Sequence, residues 1–106
     1  MKLSKVLMVI AIVMSLQAVV QAKNISIFFT RSEGDMFWGP VEQFMRAACD
    51  DLDMNLTAYH ANNNQFKMLE QIDKVISGDG KPDVLMFMNF KEVGHKVMSR
   101  CEAAGV

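Results

Sequence analysis

The sequence predicts an α/β fold with an open, doubly wound parallel sheet, and three observations support this. After residue 22, three apolar runs with the character of strands alternate with three segments of helical periodicity. Such alternation is typical of a parallel sheet with helices on both faces. The first and third runs lack polar alternation, as strands buried on both sides do. The second run is less apolar, which predicts an edge strand and the strand order 2-1-3.

The predicted strands are residues 25–29, 55–59 and 84–88. Pro40 marks the predicted start of the first helix, because the first turn tolerates a missing N–H. The apolar positions of that helix share one face: Val41, Phe44, Met45, Ala48, Cys49 and Leu52. Glu42 falls on the opposite, polar face.

The second helix has its apolar face at Met68, Leu69, Ile72, Val75 and Ile76 and ends at the turn formed by residues 77–82. The third helix is predicted from the spacing of Phe90, Val93, Val97, Cys101 and Ala104. Gly105 is its predicted cap.

Residues 1–22 have the three parts of a secretory signal peptide: the basic residues Lys2 and Lys5, an apolar centre at residues 6–16 and small residues before Ala22. The alternative is a membrane anchor. A helix of that centre rises about 17 Å, which is short of a hydrocarbon core of about 30 Å. We therefore expect cleavage after Ala22, with residues 23–106 as an exported, soluble domain and no stable membrane insertion after cleavage.

The balance of charged residues argues against a nucleic-acid-binding protein. The 106 residues include 11 Lys and Arg against 12 Asp and Glu, whereas a nucleic-acid binder shows clustered basic residues and a high pI.

Right-handed crossovers place the first helix on one face of the sheet and the other two on the opposite face. Cys49 and Cys101 would then be separated by the sheet, so no intramolecular disulfide is expected.

Ligands of open α/β sheets bind beyond the carboxyl ends of the strands, where the strand order reverses. In this chain that crevice lies between the loop of residues 30–39 and the residues that follow strand three. The candidate ligand contacts are two aromatic residues, Phe37 and Trp38, and two polar residues, Asp35 and Asn89. One of the two rings is expected to pack against the sheet end instead.

No catalytic, cofactor or metal site is predicted. Residues 78–81 (Gly-Asp-Gly-Lys) lack the spacing of a phosphate loop and precede a strand instead of following one. The acidic residues at 50–53 have no His or Cys nearby. His60 and His95 lie on different elements without a patterned carboxylate or nucleophile, so surface roles are expected for both.

Three segments carry a resemblance to a known family. These are residues 35–38 (Asp-Met-Phe-Trp), residues 62–65 (Asn-Asn-Asn-Gln) and residues 82–85 (Pro-Asp-Val-Leu). With the exported α/β pattern, they resemble the sugar-type periplasmic binding proteins, the ribose- and galactose-binding-like receptors of ABC transporters. The resemblance implies a periplasmic, two-lobed receptor for a small-molecule ligand, a sugar, that docks on a membrane permease.

The resemblance also implies the ligand contacts, which fall on Asp35, Phe37, Trp38 and Asn89. A complete receptor needs a second lobe and a hinge, whereas the sequence stops where a fourth strand is expected. Residues 23–106 are therefore expected to form an incomplete N-terminal lobe that binds ligand weakly by itself. Two alternatives stay open: a periplasmic sensing lobe that reports to a kinase or chemoreceptor, and an exported α/β enzyme cut short.

Overall fold

Strands and helices alternate in the computed structural model, which describes residues 21–106 together with Lys2, Leu3 and Lys5. The elements are β1 (Asn24–Phe29), α1 (Trp38–Asp51), β2 (Asn55–His60), α2 (Gln65–Ser77), β3 (Val84–Phe87) and α3 (Gly94–Ala104). A short 3₁₀ turn lies between β3 and α3. The apolar centre of the predicted signal peptide lies outside the described residues, and cleavage after Ala22 stays a prediction.

The three strands form one parallel sheet in the order β2-β1-β3. Ile27 in the central strand pairs with Ala58 on one side and Met86 on the other. The predicted open α/β fold and the order 2-1-3 are therefore confirmed.

Side chains of β1 alternate between the two faces of the sheet, as the pleat requires. Phe28 points into the main core, which is formed with α2 and α3 by the buried residues Phe28, Ala61, Met68, Leu69, Ile72, Ile76, Val93 and Val97. Ile27 and Phe29 point to the opposite face, where α1 lies against β2. The two faces are called the α2/α3 face and the α1 face below.

The prediction for α1 was wrong in its first residue and in part of its buried face. The helix begins at Trp38, two residues before Pro40, because the Asp35 carboxylate accepts the backbone N–H groups of Phe37 and Trp38. Phe44 is 77% exposed, although it was expected to be buried. Glu42 was expected to face solvent, but its side chain is only 12% exposed because it binds a residue of β2.

The third helix begins later than predicted. Helix α3 starts at Gly94, not at Phe90, because Lys91 and Glu92 have positive φ angles of 51° and 57° that interrupt the helical path. Its end agrees with the prediction, since Gly105 adopts the left-handed conformation of a C-terminal cap.

The two cysteines lie on opposite sides of the sheet. Cys49 belongs to α1, whereas Cys101 packs against the core on the α2/α3 face. Both are free thiols, and burial raises the pKa of the Cys101 thiol. Among the described residues, no helix has the length and apolar character needed to cross a membrane.

Candidate functional site

A groove on the α1 face brings together two of the predicted ligand contacts. Trp38, at the start of α1, and Asn89, just after β3, line the same cavity of about 500 Å³. The other lining residues are apolar: Ile27, Phe29, Val41, Met45, Met86, Phe87 and Met88. The groove therefore offers an apolar surface with one polar side chain from the loop after β3, a combination found in small-molecule sites.

The two neighbouring aromatic residues have different environments. The Phe37 ring is 67% exposed and meets the Trp38 ring edge to face, with centroids 5.0 Å apart and planes at 84°. Trp38 is half-buried, and its ring lies 6.1 Å from that of Phe29. Trp38 is thus the ring that packs toward the sheet, while Phe37 presents its surface to solvent.

Asp35 determines where α1 begins. Its Oδ1 accepts hydrogen bonds from the backbone N–H groups of Phe37 at 3.0 Å and Trp38 at 2.9 Å. The N–H groups of Trp38 and Phe37 lower the pKa of Asp35, aided by the charge of Arg31, whose Nε lies 3.9 Å from Oδ2. Asp35 is therefore ionised at neutral pH, and Oδ2 is the oxygen it can offer to a ligand.

Asn89 is held by the first residue of α3. Its Oδ1 accepts a hydrogen bond of 2.9 Å from the backbone N–H of Gly94. A Cβ at position 94 would lie 3.0 Å from the same oxygen, so glycine leaves the space that this contact needs. The side-chain carbonyl of Asn89 is engaged, and its amide hydrogens are the donors that a ligand would meet.

A contact between His60 and Glu42 beside this groove was not predicted from the sequence. His60 Nε2 lies 2.7 Å from Glu42 Oε2, and the other carboxylate oxygen accepts hydrogen bonds from the Arg46 guanidinium. Burial opposes ionisation of Glu42, but the hydrogen bonds from Arg46 and His60 outweigh it and lower its pKa. The expected surface role of His60 was wrong, since its side chain is only 17% exposed.

The Asn-rich segment after β2 connects two loops at this edge of the sheet. Arg31 Nη1 donates to Asn63 Oδ1 at 3.1 Å, which ties the loop after β1 to the loop after β2. The Asn64 side chain accepts the backbone N–H groups of Phe66 and Lys67 and so begins α2. In the part of the chain that the structure describes, no group of three or more His, Cys, Asp or Glu residues is placed to hold a metal ion.

Comparison with known proteins gives one informative match. No protein family model and no curated protein matches the chain. Among solved structures, the chain is similar to a periplasmic sugar-binding protein from Pseudomonas fluorescens, with a TM-score of 0.69 and 28% sequence identity over 77% of the chain. The resemblance predicted from the sequence is thereby confirmed. The chain spans about a quarter of the length of that protein, since 25% of it is covered.

Proposed function

We propose that the chain is the first lobe of a periplasmic substrate-binding component of an ABC-type uptake system for a sugar or a similar small polar solute. The observation that carries this proposal is that Trp38 and Asn89 line one groove at the carboxyl end of a parallel sheet, with the Phe37 ring against Trp38. Ligands of this fold class bind at that edge. Similarity to a sugar-binding protein supports a solute-binding role and gives no support to catalysis.

Each proposed contact has a distinct task. The Trp38 ring would stack on the apolar face of a sugar ring in the groove, and the Phe37 ring, which lies at 84° to it, would contact the edge of that sugar. Asp35 would accept hydrogen bonds from sugar hydroxyls through Oδ2, because its lowered pKa keeps it ionised. Asn89 would donate through its amide group. Closure by a second lobe and docking on a permease belong to the same proposal.

The chain has one Trp, so its indole N–H gives a single NMR signal with which to test sugar binding. We expect one member of a monosaccharide panel to shift this signal saturably, while glycerol does not. Phe37→Ala should weaken that binding. Phe66→Ala is the matched control, because Phe66 is 72% exposed but lies on α2. The proposal is wrong if no sugar shifts the signal or if both variants weaken binding equally.

The contribution of Trp38 to binding is measured from the NMR signals of the sugar. Trp38→Ala should weaken sugar binding by about 1–3 kcal/mol, taking as a guide the range measured when an aromatic side chain that stacks on a nucleic-acid base is removed. Saturation-transfer NMR observed on the sugar reports this loss without using the indole. Unchanged affinity would remove Trp38 from the site.

A gene deletion distinguishes an uptake role from a sensing role in cells. Deleting the gene should abolish accumulation of the radiolabelled sugar identified above. If accumulation is unchanged and a sugar-dependent transcriptional or chemotactic response is lost, the lobe serves a sensor instead of a transporter.

A further inference from the structure

Four rings form a continuous row along the carboxyl ends of β1 and β2, here called the aromatic row: His60, Phe29, Trp38 and Phe37. The His60 and Phe29 rings are stacked, with centroids 5.5 Å apart and planes at 9°. Phe29 lies 6.1 Å from Trp38, which lies 5.0 Å from Phe37. The Phe29 ring therefore lies between the rings of His60 and Trp38.

A second link runs through α1. Glu42 follows Trp38 by four residues, so both side chains lie on the same side of the helix. His60 binds the Glu42 carboxylate at 2.7 Å and thereby ties the first turns of α1, which carry Trp38, to strand β2. The backbone of His60 is itself held by α2, because Gln71 Nε2 donates to its carbonyl oxygen at 3.1 Å.

We propose that His60 is a positioning residue of the candidate site: its contacts with Glu42 and Phe29 set the orientation of the Trp38 indole. The importance of this for ligand binding rests on the proposed function. The positioning itself is a property of the chain without ligand.

The groups around His60 come from three elements. Glu42 faces it from α1, with Arg46 on the far side of the carboxylate, while β1 contributes Phe29 and α2 contributes the uncharged Gln71. Loss of the hydrogen bond to Glu42 or of the ring stacked on Phe29 should therefore loosen the Trp38 indole.

Fluorescence of Trp38 tests the proposal in the full chain. We expect acrylamide to quench Trp38 more effectively in His60→Ala, which loses both the bond to Glu42 and the ring stacked on Phe29, than in the wild-type chain. His60→Gln keeps a donor for Glu42, and His60→Phe keeps the stacked ring, so each should restore part of the protection from quenching.

The matched control is His95→Gln, because the chain has two His and His95 is exposed on α3. This variant should leave the quenching of Trp38 unchanged. Far-UV circular dichroism verifies that each variant is folded, and Glu42→Ala, which removes the partner of His60, replaces a His60 variant that fails to fold and should increase quenching.

Quenching that is the same in His60→Ala as in the wild-type chain would overturn the positioning role. Because no sugar is present, these results are independent of the NMR titration. Absence of sugar binding together with increased quenching in His60→Ala would contradict the proposed function alone.

Discussion

The two faces of the sheet differ in how completely they are covered. On the α2/α3 face, Phe28, Met68, Ile72 and Val97 are fully buried. On the α1 face, Phe44 is exposed and the groove beside Trp38 is open to a volume of about 500 Å³. Apolar burial is the main stabilising contribution to folding. Ile27 and Phe29 are also buried on the α1 face, but the larger buried cluster lies on the α2/α3 face, while Trp38 and Asn89 line the groove on the α1 face.

The largest expected effect tests this difference in burial. Ile72→Ala removes a fully buried side chain from the α2/α3 face and should lower the free energy of unfolding by about 2–5 kcal/mol. Phe44→Ala on the α1 face should change it by less than about 0.5 kcal/mol, because Phe44 is exposed. Urea unfolding followed by circular dichroism measures both. Equal losses would show that the α1 face is packed as well as the other.

A smaller expected effect is the loss of the Asp35 hydrogen bonds at the start of α1 at low pH. The lowered pKa of Asp35 means that its stabilising contribution is fully present above the ordinary aspartate pKa of about 4 and is lost as the pH falls through the folded-state value. The backbone amide protons of Phe37 and Trp38 should therefore shift together in an acid NMR titration, with a midpoint below that of an ordinary aspartate.

The control for this titration is a pair of variants. Asp35→Asn keeps an acceptor for the two N–H groups and should abolish the shared transition. Asp79→Asn, in the exposed turn after α2, should leave it unchanged. A transition that survives in Asp35→Asn would mean that another group caps α1.

The smallest expected effect concerns Asn89. Gly94→Ala places a methyl group 3.0 Å from Asn89 Oδ1, so the amide must move by a few tenths of an ångström. The side-chain NH₂ signals of Asn89 should shift in the NMR spectrum of this variant. Gly80→Ala is the control, since a Cβ there meets nothing within 4 Å. Unchanged Asn89 signals in Gly94→Ala would show that the contact is not retained in solution.

The sequence predicted most of the fold because the relevant signals are local. Uniform apolar content marked β1 and β3, and the weaker content of β2 placed it at the edge, as the structure confirms. Helical periodicity located α2, whose buried residues include Met68, Leu69 and Ile72. The same approach was wrong for part of α1, because Phe44 is exposed and Glu42 contacts His60 of β2.

The sequence predicted the residue types and positions of the candidate site, but not the hydrogen bonds within it. The sequence indicated that Trp38 and Asn89 lie at the same edge, and both line one groove. It did not indicate that a side-chain oxygen of Asp35, and one of Asn89, accepts a backbone N–H group at the start of a helix. Such hydrogen bonds depend on loop conformation, which neighbouring residues do not specify.

The amino-acid sequence by itself determined the alternation of strands and helices, the edge position of β2 and the aromatic character of the loop before α1. These follow from hydrophobic pattern and residue type, which act within one element. Only the tertiary structure decided that His60 meets Glu42, 18 residues away in sequence, and stacks on Phe29. The reason is physical: that contact exists only after β1 and β2 pair in register and α1 is laid across them.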